Sequence, residues 1–68
     1  MNEETFNLGV RKFLKRFGVT AQREMEKAVA DALRSGALTG SETLKAHVAL
    51  TIDGLPLRLE FDEEIPLA

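Results

Sequence analysis

His47 and Glu60 come nearest to an acid–base pair in this chain of 68 residues. An imidazole facing a carboxylate can orient and move a proton, but catalysis also needs a pocket, a positioned substrate and exclusion of water. The two face one another only across a two-stranded ribbon, on its solvated side, so a surface cross-strand pair is the reading we take and no catalytic residue is expected. Asp62, Glu63 and Glu64 form an acidic run. Adjacent strand residues point to opposite faces, so these carboxylates do not converge on one cation. With no cysteine and a single histidine there is no thiol nucleophile, disulfide or zinc-ligand spacing. No cofactor and no metal are expected.

The elements that must hold these residues begin with Leu44 to Phe61. Asp53-Gly54 stands between two alternating apolar runs, a strong hairpin signal because a type I′ turn requires positive φ at both central positions. That turn pairs Ile52 with Leu55, Leu50 with Leu57, Val48 with Leu59 and Ala46 with Phe61, giving one wholly apolar face. The other face pairs Thr51 with Pro56, Ala49 with Arg58, His47 with Glu60 and Lys45 with Asp62. Strands are expected over about 44–52 and 55–62. Pro56 lacks an N–H and restricts the second strand to a sheet edge near the turn, whereas the outer edge of the first strand has no such block.

Upstream, Asn2 has the chemistry of an N-cap, with Glu3 and Glu4 in the first turn to complement the helix dipole. Phe6, Val10, Phe13, Leu14 and Phe17 recur at helical spacing, and Gly18 suits the residue after a helix end. The first helix is therefore placed at about 2–17. Thr20 then caps a second helix at about 20–35, although Arg23 stands where a capping box would have Glu or Gln. Its apolar stripe is Ala21, Met25, Ala28, Val29, Ala32 and Leu33, and Gly36 ends it. Residues 37–43 have loop composition, with Leu38 tucked inward. The tail after Asp62 either extends the second strand or frays.

The resulting fold class is α+β in one domain spanning 1–68: a helical hairpin packed on a two-stranded antiparallel β-hairpin, in the order ααββ. A chain this short sits near the lower limit for folding alone, and without staples a second copy is a common source of further burial. A homodimer is expected, with Val48 and Leu50 as the self-association residues, through either the apolar hairpin face or the open first-strand edge. No long apolar run and no signal-peptide pattern is present, so the expected location is cytoplasmic and no membrane partner is expected.

Charge is uneven. Residues 1–35 hold seven Lys/Arg against five Asp/Glu and residues 36–68 hold two against six, giving the overall −2. Arg11, Lys12, Lys15 and Arg16 share the first helix's polar side with Leu8, an apolar residue off the stripe. This side is the candidate surface for a protein partner. The same pattern fits a membrane-surface helix, but the apolar side is needed to cover the hairpin. The principal alternative is a helix-turn-helix-like nucleic-acid-binding protein with the hairpin as wing. Thr20, Gln22, Arg23 and Lys27 would then read bases while Arg11, Lys12, Lys15 and Arg16 meet phosphates. The acidic balance and acidic wing disfavour it.

The segments Met1-Asn2-Glu3-Glu4-Thr5-Phe6-Asn7-Leu8, Arg11-Lys12-Phe13-Leu14-Lys15 and Gly18-Val19-Thr20-Ala21-Gln22-Arg23-Glu24 resemble a family of short, uncharacterised bacterial proteins of unknown function. Ser41-Glu42-Thr43-Leu44 and Leu50-Thr51-Ile52-Asp53-Gly54-Leu55 are similar to it too. The resemblance implies a stand-alone bacterial protein and brings no activity, cofactor or site residue. The function expected is that of a small, non-enzymatic binding protein that self-associates.

Overall fold

A single helix, α1, runs from Glu3 to Ser35, 33 residues without interruption. The computed structural model describes all 68 residues. It divides them into two compact units, Met1–Ala37 and Leu38–Ala68.

At the start of α1, Asn2 is extended and its Oδ1 accepts from the Thr5 N–H at 3.0 Å, as the capping chemistry requires. At the end, Gly36 adopts φ 83° and its N–H donates to the Leu33 carbonyl at 3.3 Å. This left-handed position is one that a Cβ disfavours. Both ends lie where the sequence puts them.

The middle does not. The expected break over Gly18, Val19 and Thr20 is absent, so the helical hairpin is replaced by one helix. The physical reason is a comparison of costs. A glycine inside a helix costs about 1 kcal/mol relative to alanine. Opening the helix at Gly18 would instead leave four N–H and four C=O groups to find new partners. Thr20 has no reciprocal Glu or Gln at its third helical position, so the cap that would offset part of that loss is missing. Gly18 accordingly keeps a negative φ, and a Cβ built on it meets nothing within 4 Å.

The second unit is an antiparallel ribbon of β1 (Thr43–Thr51) and β2 (Arg58–Pro66). Its register pairs Thr51 with Arg58, Leu50 with Leu59, Val48 with Phe61, His47 with Asp62, Ala46 with Glu63 and Leu44 with Ile65. The expected register is thus displaced by two residues. The turn explains it. Only Gly54 has positive φ (84°), and no non-glycine residue does, so the type I′ geometry that Asp53 would have to share is not adopted. The Leu55 N–H still donates to the Ile52 carbonyl at 3.2 Å. Positive φ confined to the third turn position is the type II pattern, which splays the flanking strands instead of continuing their twist. Pairing therefore resumes only at Thr51 and Arg58, and Ile52 to Leu57 form the connection. Pro56 lies in that connection and restricts no ladder edge, contrary to the expectation.

A displacement by an even number of residues preserves the faces. Leu44, Ala46, Val48, Leu50, Leu59, Phe61 and Ile65 share one side, now joined by Glu63. The tail is resolved in favour of extension: β2 reaches Pro66, and the Leu67 N–H donates to the Glu42 carbonyl at 2.9 Å. Alternation from that bond places Pro66 in a non-hydrogen-bonded pair with Thr43, where its missing N–H is not required.

No residue is buried. Phe61 is 59% exposed and Phe13 56%. Within its own unit, the ribbon buries no apolar side chain, and neither does the helix. Leu38 is half-buried. No helix is long and apolar enough to cross a membrane.

Candidate functional site

Three places gather polar side chains. The first is the polar face of the ribbon. His47 Nδ1 donates to Asp62 Oδ1 at 2.6 Å, so Asp62 and not Glu60 is its partner. The two occupy a non-hydrogen-bonded pair by the alternation described above, the pair type that brings cross-strand side chains closest. Glu60 instead accepts from Arg58 Nη2 at 2.8 Å along its own strand. Lys45, His47, Asp62, Glu63 and Glu64 line a shallow hollow of about 290 Å³. The His47 and Asp62 side chains are 69% and 77% exposed, so water reaches the pair freely. An ion pair in that setting contributes little. Strand alternation sends Asp62 and Glu64 to one face and Glu63 to the other, as the sequence indicates.

The second place is the loop leading into β1. Both carboxylate oxygens of Glu42 accept from the Thr39 N–H, at 3.1 and 2.9 Å, and Oε1 also accepts from the Gly40 N–H at 3.0 Å. The Thr39 N–H, followed by that of Gly40, holds the Glu42 carboxyl below the ordinary glutamate range. Sequence reasoning missed this residue. A glutamate just before a strand that folds back onto amides two and three residues upstream has no spacing signal as recognisable as an N-cap. Its work is to shape the loop, with Thr39 and Ser41 hydroxyls 3.0 Å apart beside it.

The third is the polar side of α1. Leu8, Arg11, Lys12, Lys15 and Arg16 all project from the first half of the helix and are exposed. Glu4, Asn7, Leu8 and Arg11 line a groove of about 410 Å³. None of the four cations forms an ion pair; the pairs present are Arg34 with Asp31, His47 with Asp62 and Arg58 with Glu60. Thr20, Gln22, Arg23 and Lys27 lie on the same uninterrupted helix, so the turn that defines a helix-turn-helix does not exist here. Val48 is exposed opposite Phe61, and Leu50 is half-buried opposite Leu59.

A model of one protein family, described as a family of unknown function (DUF6494), matches residues 1–68. The chain belongs to that family. The match spans every element described above, helix and ribbon alike. No curated protein and no solved structure matches the chain. DUF6494 membership thus fits the resemblance to a short uncharacterised family and leaves the functional reading to the physical features of the chain.

Proposed function

We propose that this protein is a small, non-enzymatic binding module that works as a homodimer and offers the basic side of α1 to a macromolecular partner. The observation that carries this reading is the absence of any buried residue alongside large exposed apolar side chains in both units. A folded chain of this size without disulfide or metal must bury apolar area somewhere, and contiguous exposed apolar surface is the usual mark of an interaction site. Val48 and Leu50, with Leu59 and Phe61 across from them, supply such a surface on the ribbon. Arg11, Lys12, Lys15 and Arg16 supply unpaired charge for a second, acidic partner, with Leu8 as an apolar contact beside them.

The non-enzymatic part of the reading is supported by the setting of His47 and Asp62. They sit on an open strand face with nothing to exclude water, and general acid–base work requires more than a hydrogen bond. Sedimentation equilibrium tests the proposal: a dimer at micromolar concentration is expected, and a monomer throughout that range contradicts it. Replacing Arg11, Lys12 and Lys15 together by Gln should leave the dimer intact and abolish retention on a polyanionic peptide column. Unchanged retention would contradict the assignment of that side to a partner.

A further inference from the structure

Because α1 does not break at Gly18, the two apolar stripes read separately in the sequence become one. Phe6, Val10, Phe13, Phe17, Ala21, Met25, Ala28 and Ala32 follow one another along a single side of the helix, all exposed or half-buried. Their steps are four, three, four, four, four, three and four residues, the same from either end. Phe6, Phe17 and Ala28, and likewise Val10, Ala21 and Ala32, stand 11 residues apart. That repeat averages 3.67 residues per turn, close enough to the helical 3.6 for the stripe to run almost straight.

Resting on the self-association reading above, we propose that two copies pair through this stripe with their helices antiparallel, centred between Phe17 and Ala21. Reversing one copy about that centre sets Phe6 against Ala32, Val10 against Ala28, Phe13 against Met25 and Phe17 against Ala21. Three of the four layers then join a larger side chain to an alanine. In the fourth, the flexible methionine thioether meets a ring, a contact it makes favourably. The helices can thus keep one separation along their whole length, within the usual 8–10 Å or so. A parallel, in-register pair would stack phenylalanine on phenylalanine at one end and alanine on alanine at the other, and no single separation packs both.

A receptor for the opposing side chains is already present: Phe13, Arg16, Phe17, Thr20 and Ala21 surround a groove of about 370 Å³. Their spacing is that of the hole which accepts a knob from a facing helix. Covering the stripe on both copies removes on the order of 1,000 Å² from water, enough for a specific interface. The stripe is also longer than a nine-residue strand pair, about 39 Å against about 30 Å.

The absence of native cysteine makes the test direct. Chains carrying Val10→Cys and Ala28→Cys are mixed and oxidised, each also being oxidised alone. The mixed disulfide should form and neither chain should cross-link with itself, because like positions lie about 27 Å apart in the antiparallel pair. Self-cross-linking of Ala28→Cys, or no mixed product, overturns the proposal. Separately, Ala21→Glu should weaken dimerisation at least 100-fold by sedimentation, while Val19→Glu, on the opposite side, should change it less than threefold, both with helical circular dichroism retained. If Ala21→Glu stays dimeric and Val48→Asp becomes monomeric, self-association stands and the helix pairing is overturned. A wild-type monomer that binds phosphatidylglycerol vesicles overturns both in favour of a lipid surface.

Discussion

The helix and the ribbon satisfy the same backbone demand in opposite ways. In α1 every bond is local, so its bounds depend on residues within a turn of each end, namely Asn2 with Thr5 and Gly36 with Leu33. In the ribbon each bond joins residues distant in sequence, and its register depends on how the Ile52–Leu57 connection bends. A helix therefore tolerates Gly9 and Gly18 in its interior at modest cost, while one turn residue refusing positive φ moves every cross-strand partner. Local order is forgiving of a poor residue. Long-range order is forgiving only of shifts that keep the faces.

The contrast can be broken most forcefully at Gly18. Gly18→Pro should cost about 3 kcal/mol or more and remove a large share of the helical circular dichroism signal, since proline deletes an interior bond and clashes with the preceding turn. A chain that already turned there would accept it with little change. Next in size, Gly36→Ala should destabilise α1 by roughly 1–2 kcal/mol in a denaturant melt, because φ 83° crowds a Cβ. Gly18→Ala should act in the reverse direction, stabilising by about 0.5–1 kcal/mol, because the site has negative φ and open space. Destabilisation by that alanine would mean that Gly18 is not helical.

The ribbon offers smaller effects that sharpen its side of the comparison. A double-mutant cycle on His47 and Asp62 should show a coupling of roughly 0.2–1 kcal/mol, and the cycle on His47 and Glu60 none. The reverse result would restore the two-residue turn. Smallest is the response of the loop to acid. The folded Glu42 carboxyl titrates below its ordinary value, so its contribution is present at neutral pH and is lost as pH falls through that depressed value. Amide resonances of Thr39 and Gly40 should shift in that acidic window in the wild type and stay still in Glu42→Gln.

Much of the fold was legible in the sequence because it rests on short-range chemistry. Asn2, Gly36, the alternation of 44–61 and the assignment of faces all follow from residues within a few positions. Two features escaped for definite reasons. Gly18-Val19-Thr20 resembles a helix boundary by composition, but two contrary signals were present: Arg23 denies Thr20 its capping box, and Phe17 to Ala21 keeps the stripe in phase. Asp53-Gly54 names a turn without naming its type, and the choice between types decided whether His47 meets Glu60 or Asp62. Of the candidate site, the basic side of α1 was readable from spacing alone. The Glu42 loop was not, because three hydrogen bonds to neighbouring amides leave no periodic trace.

An unbroken α1 carries the whole account, from the single stripe to the antiparallel pair. Spin labels on Leu8→Cys and Ala30→Cys, both off the stripe, measure it directly when labelled chains are diluted into unlabelled protein. A continuous helix predicts a backbone separation of roughly 33 Å between these positions. A separation near 10–15 Å, as two antiparallel helices joined at Gly18 would give, contradicts it.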